Sequence, residues 1–129
     1  MILDNRPKAL YSREIHHLLE RFLYMIVALP YESGEIIRDI ENAERFMIYE
    51  LEGNLIQKED LAKTHCEGIT AITNFLKNRK VDIVLCNAAS GVAQSELRNA
   101  GIDFELGISG DTDEAISSFI SQKQQKLCS

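Results

Sequence analysis

The chain has 129 residues, 14 Lys and Arg against 20 Asp and Glu, and a formal net charge of −6, which suits one domain able to bury a core without a staple. Apolar residues make up 45% and charged residues 26%, the balance of a globular protein, and the longest apolar run, Phe22 to Pro30, falls short of the ~20 residues a membrane span needs. Three cysteines (Cys66, Cys86, Cys128) exclude a disulfide framework or a four-cysteine zinc site within one chain; with no basic-then-apolar leader in view, a reducing cytoplasm is the expected compartment.

From the N-terminus, Ser12 followed by Ile15, Leu18, Leu19 and Phe22 spells an amphipathic helix with its N-cap, within an extension covering residues 1–23. Tyr24 to Leu29 reads as a buried strand stopped by Pro30. Residues 31–44 form a polar, acidic connection that contains Gly34 and a helical turn or two. Residues 32–60 hold nine acidic and three basic groups and so account for the whole net charge. No segment offers the basic face that a phosphate backbone requires, so nucleic acid is not an expected partner, and the acidic stretch reads first as a solvated face.

Arg45 to Leu51, the turn Glu52-Gly53-Asn54 and Leu55 to Lys58 predict a β-hairpin. Thr64 and Glu67 match a capping box opening a helix through Ile69, Ile72, Phe75 and Leu76. Val81 to Cys86 is a strand, Asn87 to Gly91 a small-residue loop, and Ser90 the cap of a helix ended by Gly101. Ile102 to Leu106 is the last strand. After the loop Gly107 to Gly110, Asp111 and Glu114 open a helix through Ile116, Phe119 and Ile120. The polar tail, residues 123–129, is expected to fray.

Strands alternating with helices argue for parallel pairing, while the hairpin adds an antiparallel strand. The expected fold is a three-layer α/β structure over residues 24–122, with a mixed five-stranded sheet in order 3-2-1-4-5. In such sheets the ligand crevice lies at the carboxyl ends of the strands, where the order reverses. That edge gathers Pro30 to Gly34, Leu61 to Glu67, Cys86 to Gly91 and Gly107 to Asp111. Three helix N-termini converge there and could hold an anion, with Ser90-Gly91 and Gly110-Asp111 as the candidate positions.

His65 and Cys66 fall in the first turn of one such helix. A cysteine there can ionise early, and thiolate is a soft ligand for iron. The plainer alternative makes Cys66 a small core residue and His65 an exposed one. Cys86 ends an apolar strand and reads as core. His16 and His17 stand about 100° apart on their helix and do not face one metal. The central strand lacks the carboxylates of a two-metal nuclease, and no nucleophile elbow, P-loop or dinucleotide fingerprint occurs. Catalytic residues are not expected.

The opening strand IVALP, the RFMIYELEGNLI hairpin, the VDIVLCNAASGVAQSELRNAGIDFELG block and the DTDEAISSFI helix, taken in this order and spacing, resemble the dinitrogenase iron–molybdenum cofactor biosynthesis family (NifX-like proteins and NifB C-terminal domains) from Met25 to Gln122. The resemblance implies a ribonuclease H-like α/β/α fold and non-catalytic carriage of an iron–molybdenum or iron–sulfur cofactor precursor. His65, Cys66, Asn87, Ser90, Gly91 and Gly110 are then the candidate binding residues, with Cys66 and His65 as metal ligands. One departure stands out. The family's HFGRA stretch aligns with Asp39 to Ala43, so its histidine becomes Asp39 and its arginine Asn42. Two other readings compete: a metal-free sensor of a small anion or metabolite, and an interaction module that forms a homodimer through the N-terminal helix.

Overall fold

The computed structural model describes residues 24–37, 39–65 and 67–128. The N-terminal helix expected from Ser12, together with His16, His17 and Cys66, lies outside the described residues. β1 spans Tyr24–Glu32, β2 Glu35–Ile36, β3 Arg45–Glu52, β4 Leu55–Lys63, β5 Ile83–Leu85 and β6 Asp103–Glu105. The helices are α1 (Ile69–Asn78), α2 (Gly91–Asn99) and α3 (Thr112–Cys128), with a 3-10 turn at Ile40–Asn42.

β1 is central because its run of apolar residues can be buried on both faces. It pairs antiparallel with β3 (Val27 opposite Tyr49) and parallel with β5 (Val27 opposite Ile83). β4 extends the sheet beyond β3 and β6 extends it beyond β5, giving the order β4-β3-β1-β5-β6. The sheet has six strands rather than the expected five, because β2 folds back on the end of β1, Tyr31 opposite Ile36. Its two residues sit in an acidic stretch with no alternation to announce a strand.

Alternate residues of β1 enter two separate cores. Ile26 and Ala28 pack with Phe46, Ile48 and Val84 beneath α1 (Ile72, Leu76) and α2 (Ala93, Leu97). Val27 and Leu29 pack with Tyr49, Leu51 and Leu85 against Ile116 and Phe119 of α3. The result is three layers, with each buried aliphatic side chain contributing roughly 1.5–3 kcal/mol. No described helix is long and apolar enough to cross a membrane.

Pro30 does not end β1. The N–H and C=O of Ile26 both bond Asp82, on the side of β5, and the two-residue period turns Pro30 to that same side. The ladder there ends at Ala28 opposite Val84, so Pro30 stands just past the last β1–β5 pair, while on the other side it still lies opposite Phe46 of β3. β4 likewise outruns the expected Lys58 and continues to Lys63. It is an edge strand with most of its residues exposed, so its sequence lacks the alternation that would mark its length.

Two helices end in the same motif. After α2, the N–H of Ile102 donates to Leu97 O at 2.9 Å and that of Gly101 to Arg98 O at 3.0 Å, with Gly101 at φ 77°. After α1, Val81 N–H donates to Leu76 O at 3.1 Å and Lys80 N–H to Lys77 O at 2.9 Å. Both are Schellman closures. In the second, a lysine occupies the left-handed position at φ 61°.

Candidate functional site

The carboxyl ends of β1, β5 and β6 are stitched together by loop backbone. Gly107 N–H donates to Asn87 O at 2.9 Å and Ile108 N–H to Cys86 O at 3.1 Å, carrying the β5–β6 pairing past the strands. On the other side, Ile40 N–H donates to Ala88 O at 3.3 Å, and Asp39 bridges Ala88. Ile36 N–H reaches Gly110 O at 2.9 Å, and Thr112 N–H reaches Gly34 O at 3.2 Å. The expected crevice between β1 and β5 is therefore crossed by residues 34–37 and 39–40, with Ile36 and Ile40 buried.

Ser90 caps α2 as its position predicts: its Oγ accepts from Ala93 N–H at 3.1 Å. Gly91 follows, exposed, and no acidic residue lies in the first turn of α2. Asn87 is half-buried and Gly110 exposed, both in the stitched loops. At the start of α3, Asp111 Oδ1 accepts from Asp113 N–H at 2.8 Å and Glu114 N–H at 3.1 Å. Those donors are thereby used, and three carboxylates cluster at that end. A further anion is poorly served at Gly110-Asp111.

The capping box at Thr64 does not form. Pairing of β3 with β4 continues to Arg45 opposite Lys63, and Thr64 N–H then donates to Glu44 O at 2.9 Å. Thr64 is buried there, and α1 begins later, at Ile69, with Gly68 as N-cap and no side-chain cap bond. His65 is thus not in a first helical turn; it is exposed in the connecting loop at φ 54°. It lines a cavity of about 350 Å3 with Glu44, Lys63, Thr64 and Glu67. Neither the 87–91 loop nor Gly110 contributes to the lining of that cavity.

Cys86 sits fully buried beneath the 87–91 loop. Burial above all, and then the negative charge of Glu41, pushes its thiol up from 9.0 to about 11. A thiol held neutral in this way is a poor metal ligand. Glu41 is a contributor the sequence does not flag: it lies in the 3-10 turn, and its Oε1 is buried with no hydrogen-bond partner among the described residues. Tyr49 is another. It crosses the second core to donate its hydroxyl to Asp113 Oδ1 at 3.0 Å. Burial raises its phenol from 10.0 to about 12, with a Thr112 hydrogen bond opposing and Asp113 adding to the rise. Among the described residues no group of three or more His, Cys, Asp or Glu side chains is arranged to hold a metal ion.

The profile of the Dinitrogenase iron-molybdenum cofactor family matches residues 24–122. This chain belongs to that family. An uncharacterised protein of Methanocaldococcus jannaschii, MJ0580, is 27% identical over 108 residues, covering 80% of this chain and 92% of the relative. Among solved structures, the crystal structure of PH0822 superposes with a TM-score of 0.71 at 22% identity, covering 76% of this chain and 92% of its own. The apo form of the orange protein from Desulfovibrio gigas superposes with a TM-score of 0.67 at 14% identity, over 77% and 89% of the two chains. At these identities the two structures show a shared fold. Residues 1–23 fall outside the family match.

Proposed function

We propose that this protein is a non-catalytic binding and carrier protein whose cargo is an iron–sulfur-type or iron–molybdenum cofactor, or a precursor of one. The observation that carries this reading is the family match across residues 24–122. His65 and Cys66 are the proposed ligands, at the carboxyl-end edge of a fold we read as ribonuclease H-like. The cavity that His65 lines supports a cargo site there, with Lys63 adding positive charge toward an anionic cargo; Glu44 and Glu67 line it too but are not arranged with His65 to hold a metal ion by themselves. Asn87, Ser90, Gly91 and Gly110 form the second proposed rim, beside the N-terminus of α2, which Ser90 caps and whose first turn carries no acidic residue. Cys86 does not fit a ligand's role, being buried and held protonated.

Anaerobic reconstitution with iron and sulfide, followed by visible absorption and metal analysis, tests the proposal. Wild-type protein should bind metal and colour, Cys66→Ala and His65→Ala should lose metal, and Cys128→Ala should keep it. A protein that stays colourless and also ignores isolated cofactor would overturn the reading. Stabilisation of that colourless protein by inorganic phosphate would favour instead a metal-free anion sensor at Ser90-Gly91.

A further inference from the structure

The face of the sheet that α3 covers is only half covered among the described residues. Ile116 and Phe119 reach Val27, Leu29 and Leu85, on the β1–β5 side. Toward β4, Met25 and Met47 are partly buried, and Ile56 and Leu61 remain 39% and 48% exposed. The register sets three rows on this face, Met25 with Leu51 and Ile56, Val27 with Tyr49 and Glu59, and Leu29 with Met47 and Leu61; Tyr49 and Leu51 are already buried, and Glu59 stands exposed between Ile56 and Leu61. A strip of this kind is a contact surface.

Its occupant is argued from where the chain enters. β1 starts at Tyr24, opposite Glu52, so the preceding residues arrive beside the Met25–Ile56 row. Immediately upstream, Ile15, Leu18, Leu19 and Phe22 make an apolar stripe that a lone helix would leave in water. As a helix, Ser12 to Phe22 would be about 16 Å long. The strip from Ile56 to Leu61 along β4 measures about 17 Å. The family match begins at residue 24, so the stripe belongs to an extension with no counterpart in the matched unit.

We infer that Ser12 to Phe22 docks within its own chain, antiparallel to β1 on the β3–β4 half of this face, its apolar stripe covering Met47, Ile56 and Leu61. The docking completes the outer layer beside α3 and is independent of what the opposite edge of the sheet binds.

Hydrogen exchange of the full-length protein, read by mass spectrometry alongside sedimentation, tests this. Leu61 is half exposed, so Leu61→Ser should fold normally by circular dichroism. Amides of residues 12–22 should be protected in the wild type, and their exchange should accelerate about fivefold in Leu61→Ser, half of a leucine's burial being lost. Val92→Ser, on the exposed face of α2, should leave them unchanged. Unprotected amides in the wild type, an equal response to Val92→Ser, or protection that vanishes on dilution of a dimer would each overturn the inference.

Discussion

Cys86 gives the sharpest chemical test of the site's construction. Alkylation requires thiolate, and a shift from 9.0 to about 11 lowers the thiolate fraction at pH 8 from about one in ten to about one in a thousand. The electrostatic factor alone therefore slows reaction about a hundredfold. Burial adds to it, because Cys86 is fully inaccessible and its neighbours Asn87 and Ile108 are tied to the β6 side by backbone hydrogen bonds. Iodoacetamide at pH 8, quenched at intervals and read by peptide mass, should thus modify Cys86 last and at a rate set by local opening. Cys66, whose neighbours His65 and Glu67 are exposed, should react before it. Glu41→Gln removes the smaller of the two causes, so Cys86 should remain slow in that variant. If Cys86 is modified as fast as an exposed thiol, the loops are not stitched as described, and the exclusion of Cys86 as a ligand fails with them.

Lys80→Gly should stabilise the protein by about 0.5–1 kcal/mol, roughly 2–4 °C in Tm, because glycine takes the left-handed closure of α1 without the penalty that lysine bears there. Lys80→Ala keeps the penalty and should show no such gain; equal melting temperatures for the three proteins would refute the motif. Tyr49 predicts the alkaline limit of stability. Its folded value lies above its unfolded one, so the folded state holds the proton more tightly; the contribution is complete below pH 10 and is lost as pH rises from 10.0 toward about 12. Denaturation midpoints should fall across that window in the wild type and less steeply in Tyr49→Phe, and parallel curves would refute it.

What was legible in the sequence follows burial. β1, β5 and the hairpin announce themselves because buried strands need apolar runs, and Ser90 and Asp111 announce α2 and α3 because a cap is a local hydrogen bond. The same local rule misleads at Thr64, where the sequence matches a capping box but the residue is claimed by Glu44 across the hairpin. A tertiary bond thus displaces a local one, and His65 moves from a helix terminus into a left-handed loop position. β2 and the second half of β4 stay hidden for the opposite reason: short or exposed strands place no demand on side-chain pattern.

The acidic connection carries the consequence for binding. Asp39 to Ala43, which replaces a histidine- and arginine-bearing stretch in the resemblance, is the segment that bridges Ala88 and seals the β1–β5 crevice with Ile40. It sets the charge of Glu41 near Cys86 and leaves a carboxylate oxygen buried without a partner among the described residues. An anionic cargo is repelled there and a thiolate at Cys86 is suppressed. The proposed site at His65 lies in a cavity that Lys63, Glu44 and Glu67 also line, so on that proposal His65→Ala should lower cargo binding more than a substitution in the 39–43 segment.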